Sequence, residues 1–249
     1  MHNTSKLAGD AGFQSNLFVR EKSPSRRPGP PHNPDLRELV AGKRQWSSAT
    51  PQELGRQGFP GWHERGYLPH RDEPGLTQFV TFHLADSFPT ALRSEWAAML
   101  AVEDVRERRA QLQSYLDTGR GDCVLRRPEI AQAVEDSLRF RHGQSYELRA
   151  WVVMPNHVHV LFKVGNVSMA RTVEDWKKFT AHTINKLLGR KGQLWFDDYW
   201  DTYMRDAEHE TRTRHYIEAN PVKVFLVREA KDWPWSSARR RDDYGRLCL

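Results

Sequence analysis

Residues 146–164 read Tyr-Glu-Leu-Arg-Ala-Trp-Val-Val-Met-Pro-Asn-His-Val-His-Val-Leu-Phe-Lys-Val. The runs Tyr146–Val153 and His157–Val164 are rich in β-branched and aromatic residues and read as two strands. Met154-Pro155-Asn156 joins them, and Pro and Asn suit a turn or bulge. Side chains alternate faces along a strand, so His157 and His159 point the same way. Two imidazoles side by side can hold one divalent cation. Such a pair is more often packing or a solvated pair, and alone it is a weak signal. A second element about sixty residues on raises it: Tyr216-Ile217-Glu218-Ala219-Asn220-Pro221 sets a candidate nucleophile and a candidate third ligand one helical turn apart.

Working outward, Thr77–Leu84 (TQFVTFHL) is a strand by composition. A helix is expected over roughly Leu92–Asp117, with Leu92, Trp96, Met99, Leu112, Tyr115 and Leu116 as core contacts. Pro128 opens a second helix, to about Phe140. Thr172–Leu188 is amphipathic, with Val173, Trp176, Phe179, Thr183 and Leu187 on or near one face, and Gly189 is placed to end it. Phe196–Arg205 reads as a strand. Ala207–Asn220 reads as a helix that Pro221 helps to end, which sets Asn220 at or just past its last turn. The order β-α-α-β-β-α-β-α implies an α+β domain with a mainly antiparallel sheet.

The chain has 249 residues, a formal net charge of +6 and a pI near 9.4. That balance fits a nucleic-acid partner and equally suits other basic proteins. Several of the nine Trp lie among Arg and Lys, as in Trp233–Arg241, where bases could stack and phosphates pair. Most Trp fill cores. Residues 1–60, with Lys22–Pro31 rich in Pro, Ser and Arg, are expected to be a disordered basic arm, either touching phosphates or inert. Residues 61–241 would form the catalytic domain and 242–249 a tail. Cys123 and Cys248 form no CxxC, which argues against a thiolate zinc site and for a reducing, cytoplasmic setting. No stretch approaches a membrane span.

Five blocks then resemble one family in order and spacing: MPNHVHVLF, WKKFTAHTINKLLGR, LWFDDYWDTYMRD, YIEANPVKVFLV and WPWSS. Together with RGYLPHRDEPGLTQFVTFHLADSFP they look like the REP-associated tyrosine transposases of the HUH single-tyrosine superfamily, over about residues 62–240. The resemblance implies a ferredoxin-like fold with a helical insertion. It implies that His157 and His159 are the metal-binding pair, that Asn220 completes the site and that Tyr216 is the nucleophile. It also implies Mg²⁺ or Mn²⁺ as cofactor and cleavage and rejoining of single-stranded DNA at hairpins of repetitive extragenic palindromes. The protein would act as monomer or homodimer. Two positions depart from the family pattern. Val224-Phe225 stands where Ala-Gly is usual, and His83 stands where Arg is more usual.

Phosphodiester cleavage needs charge neutralisation at the phosphate and an in-line nucleophile. The ligand types themselves favour Zn, Ni or Cu over Mg, so the metal identity comes from the resemblance alone. A phenol ionises near ~10 and needs activation, for which Lys223 and Arg214 are candidates; Glu218 is a weak candidate base. Asp201 and Arg205 are expected to pair, with Arg205 a DNA contact as second reading. Arg71, Lys223, Trp235, Ser236, Arg239 and Arg240 are further candidate DNA contacts; the Trp233–Arg241 segment could equally dock on the core. The alternatives are a hairpin-binding protein with weak or lost catalysis, and an unrelated metallohydrolase lacking a visible third ligand.

Overall fold

The computed structural model describes residues 50–64, 69–88, 98–99, 101–102 and 104–249. Its centre is a four-stranded antiparallel sheet of β3 (Thr77–His83), β4 (Tyr146–Val153), β5 (His157–Val164) and β6 (Trp200–Tyr203), in the order β4-β5-β3-β6. Between β3 and β4 run α2 (Val105–Asp117) and α3 (Pro128–Phe140), and between β5 and β6 runs α4 (Met169–Leu187). That is the β-α-β-β-α-β order of a ferredoxin-like fold, with α2 as the extra helix and α5 (Ala207–Lys223) following the sheet. Before it lie α1 (Pro51–Arg56) and an antiparallel pair, β1 (Gly61–Glu64) and β2 (Pro69–Asp72).

Alternation along the strands builds two different faces. Val80, Phe82, Val158, Val160 and Phe162 point to one side, where they meet Ile130, Val134 and Leu138 of α3 and Val173, Trp176 and Ile184 of α4. Each such side chain fully withdrawn from water stabilises the fold by about 1.5–3 kcal/mol. The other side carries Phe79, Leu161, Ala150, Val152 and Met154, and α5 lays Ile217 onto it. The register shift between Leu148 and Ala150 puts Tyr146 and Leu148 on the first face and Ala150 and Val152 on the second.

Several sequence expectations shift. Residues 50–60 are not part of an arm: Thr50 caps α1 through a capping box with Glu53, and Leu54 and Phe59 are buried. Residues 1–49 lie outside the described residues, as do Leu92 and Trp96. The α4 core face is Val173, Trp176, Thr180 and Ile184, while Phe179 and Leu187 are exposed, because the buried stripe tracks the three- and four-residue spacing from Val173. The strand expected over Phe196–Arg205 shrinks to Trp200–Tyr203. The carbonyls of Phe196 and Asp197 accept from the Lys177 ammonium at 2.6 and 2.7 Å instead of joining a ladder.

Helix α5 does not stop at Asn220; it runs through Pro221 to Lys223. Proline removes one donor, a modest loss this close to a helix end, and both Asn220 and Pro221 are buried. The helix closes with Leu226 N–H donating to Pro221 C=O at 2.9 Å and Phe225 N–H to Val222 C=O at 3.0 Å, the Schellman pattern. Phe225 occupies its left-handed position, with φ of +59°. That backbone costs a residue with a Cβ about 1–2 kcal/mol.

The C-terminal segment docks on the core. Val153 N–H donates to Trp235 C=O at 2.9 Å, Trp151 N–H to Ser237 Oγ at 3.1 Å, and Trp233 Nε1 to Val153 C=O at 2.9 Å. These bonds satisfy the outer edge of β4. No helix among the described residues is long and apolar enough to cross a membrane.

Candidate active site

On the α5 side of the sheet, His157 and His159 lie opposite His83 and Thr81 of β3. Both imidazoles are buried, at 1% and 0% exposure, with ring centroids 4.7 Å apart. Each is held by its Nδ1. Asn156 donates from Nδ2 to the carbonyls of Leu116 and Arg120 at 3.2 Å each, so its Oδ1 faces His157 Nδ1 at 2.8 Å and accepts from it. That fixes the Nδ1–H tautomer and leaves a lone pair on Nε2. Thr81 Oγ1 lies 2.8 Å from His159 Nδ1 and can hold the same tautomer. This is how proteins orient imidazole ligands from behind.

Burial, reinforced by the Lys223 charge, brings the His157 pKa down to about 3. His159 is depressed well below the usual value by burial and by His157 and Lys223. Both rings are therefore neutral near pH 7. Nε2 of His157, Nε2 of His159 and both amide atoms of Asn220 are buried with no hydrogen-bond partner. Orphaned polar atoms of this kind are costly unless a ligand satisfies them. Their donor set fits a divalent cation: two imidazole nitrogens and an amide oxygen. Among the described residues no three His, Cys, Asp or Glu side chains group around one ion, so an amide is the third donor on offer.

Tyr216 stands at this site. Its ring centroid is 5.8 Å from that of His159 and 6.1 Å from that of Phe79. Asn220 follows one helical turn later, and its amide acts to lower the phenol pKa. The net shift is upward, driven by burial and then by the Asp117 carboxylate. Lys223, another turn on, places its ammonium 5.9 Å from the Tyr216 ring centre and 2.6 Å from Asp117 Oδ2. Tyr216, Asn220 and Lys223 thus share one stripe of α5.

The end of α2 reaches the site twice, through Leu116 to Asn156 and through Asp117 to Lys223. Sequence reasoning missed Asn156, Thr81 and Asp117. Asn156 had a signal, as it adjoins His157, and Thr81 needed only the β3–β5 register; nothing local marks Asp117.

Other candidates sit elsewhere. Arg71 is 3% exposed, bidentate to Glu73 and packed over Trp62 and Tyr203, so it is an internal residue rather than an outward phosphate contact. Asp201 pairs with His70, not with Arg205, which is exposed. Ser236 is buried and caps the turn at Ala238, and Trp235 packs against Trp233. Arg240 is bidentate to the buried Glu135, whereas Arg239 is exposed. Glu218 accepts from Ser237 and Arg241 and is a structural acceptor rather than a base. Arg214 turns to the Gly245 carbonyl. His83 lies between the Phe196 and Trp200 rings.

The transposase IS200-like family's model matches residues 127–220, a span from the start of α3 to Asn220 that holds both histidines and Tyr216. This segment is similar to that family. Over 105 residues the chain is 28% identical to the REP-associated tyrosine transposase of Escherichia coli (strain K12), covering 41% of this chain and 61% of the relative. A putative REP-associated tyrosine transposase of Haemophilus influenzae is 26% identical over 106 residues, 38% of this chain and 60% of its own. The chain thus spans about 60% of the length of these relatives. Two solved structures are also similar. One is a REP-associated tyrosine transposase bound to a REP hairpin, at TM-score 0.44 and 21% identity, covering 72% of this chain and 82% of that one. The other is a putative transposase from Deinococcus radiodurans, at TM-score 0.33 and 18% identity, covering 64% and 96%.

Proposed function

We propose that this protein is a metal-dependent tyrosine transposase that cleaves and rejoins single-stranded DNA beside palindromic hairpins. The observation that carries the reading is the meeting of a half-buried phenol, Tyr216, with the buried Asn220 amide and two buried imidazoles whose Nε2 atoms have no protein partner. Mg²⁺ or Mn²⁺ held by His157, His159 and Asn220 would supply Lewis-acid neutralisation of the scissile phosphate.

This chain's own groups account for the rest. Tyr216 Oη attacks phosphorus and loses its proton to solvent. The P–O3′ bond breaks, and the departing 3′ oxygen takes up a proton. The product is a 5′-phosphotyrosine and a free 3′-OH, and the covalent link retains the bond energy for rejoining. Tyr216 begins as a phenol of raised pKa, so positive charge must arrive before it ionises. Lys223 is placed to supply part of it once a DNA phosphate competes with Asp117.

A hairpin binder without catalysis is not favoured, because the helix-closing turn forms even with Phe225 at its left-handed position. The test is incubation with single-stranded hairpin DNA and Mn²⁺, followed by mass spectrometry. A nucleotide adduct on Tyr216 is expected; an adduct elsewhere, or none under any metal, overturns the reading.

A further inference from the structure

Two helices of this protein end in the same Schellman turn, but with opposite residue choices. After α4 the left-handed position is Gly189, with φ of +62°, and Arg190 N–H closes the turn onto Asn185 C=O at 2.9 Å. Glycine is the residue that turn asks for. After α5 the same position holds Phe225, with φ of +59°. Its side chain is 94% exposed, the most exposed large hydrophobic among the described residues. Neither the backbone nor the packing gains from that ring. Its neighbours behave differently: Val224, Leu226 and Val227 pack against the core on the α5 side of the sheet.

A strained, solvated aromatic is therefore held at the end of the helix that carries Tyr216, Asn220 and Lys223. Phe225 stands two residues past the end of α5 and five positions after Asn220. Lys223, two residues earlier, is half-exposed and cationic. An exposed ring two positions from a half-exposed cation matches single-stranded nucleic acid, whose bases stack and whose phosphates pair.

We propose that Phe225 is a stacking platform for an unpaired DNA base next to the scissile phosphate. The proposal rests on the nucleic-acid reading above and adds to it a binding residue and its ligand class. Local backbone strain retained at a functional site is the expected signature of such a role.

The test uses the full chain and a single-stranded oligonucleotide carrying 2-aminopurine, with its duplex as control. Phe225→Gly should raise the thermal midpoint, because the strain is removed. It should weaken single-strand affinity about tenfold and abolish 2-aminopurine quenching, with duplex affinity unchanged. Phe225→Trp should retain both affinity and quenching. Unchanged single-strand affinity in Phe225→Gly, equal loss on duplex, or failure of Trp to preserve binding each overturns the platform. Adduct formation on Tyr216 is scored separately. An adduct with Phe225-independent binding removes the platform and leaves the chemistry; Phe225-dependent binding without an adduct does the reverse. A wild-type chain that binds no single strand removes both.

Discussion

The Lys223 ammonium lies 5.9 Å from the centre of the Tyr216 ring, on the same stripe of α5. Asp117 holds that ammonium from α2 at 2.6 Å and at the same time opposes ionisation of the phenol. One carboxylate on the extra helix thus holds the Lys223 ammonium and opposes ionisation of the proposed nucleophile.

Asp117→Asn should release that restraint. The Tyr216 pKa should fall, since one of the two causes raising it is removed. Cleavage should rise severalfold at neutral pH and its pH–rate profile should shift to lower pH. Lys223→Met should act oppositely, slowing cleavage by about 10²-fold, the cost typical of losing one preorganised positive group. Rates that respond to neither change would place the activating charge elsewhere.

Tyr216→Phe should eliminate the covalent adduct while hairpin affinity stays within about twofold, since only a hydroxyl is lost. Gel-shift titration and denaturing electrophoresis on the same samples separate the two. Adduct that survives the change would assign the nucleophile to another residue.

Thr81→Val removes the partner of His159 Nδ1 with little change of volume. Cation affinity should fall about 10–100-fold, as for other groups that orient a metal-binding imidazole. Calorimetric titration with Mn²⁺ reads this without any DNA. Equal affinity in the variant would show that Thr81 does not position His159 for the ion.

His83 and His157 are pushed down to about 3, chiefly by burial, and His159 is also strongly depressed. The unfolded chain, with histidines near ~6.5, therefore binds more protons than the folded one between those values. Stability should be full above about pH 6.5 and fall as pH drops towards 3. Thermal midpoints measured in EDTA from pH 7 to pH 4 should decline steadily. A flat profile would mean that these rings are not buried and neutral.

Arg240→Ala removes the cationic partner of the buried Glu135 carboxylate, leaving it only the Trp151 and Gln132 donors, and should cost about 3 kcal/mol. Arg239→Ala, at an exposed position, should leave stability unchanged and lower the salt dependence of DNA binding by about one unit of slope. Urea unfolding and salt titration check the pair.

Residues 146–164 alone carried the two strands, the shared face of His157 and His159 and the turn between them, because a period of two is written directly into a strand's sequence. The one-turn spacing of Tyr216 and Asn220 was equally legible from the helical period, whereas Lys223 lay past the expected helix end and joins their stripe only because α5 runs on through Pro221. Local spacing could not say which way a charged side chain turns. Arg71, Glu218 and Arg240 all look like surface chemistry in the sequence, and each instead finds an oppositely charged partner across a turn or on another element, while Asp201 pairs with His70 rather than with Arg205. Asp117 shows the same limit from the other side. It is 106 positions from Lys223, and only the docking of α2 beside the site brings the two charges together. Periodicity is a property of one segment, whereas charge pairing and burial are properties of the packed whole. The strands, helices and ligand types were therefore decided by the chain, and the electrostatic state of Tyr216 was decided by what folds against it.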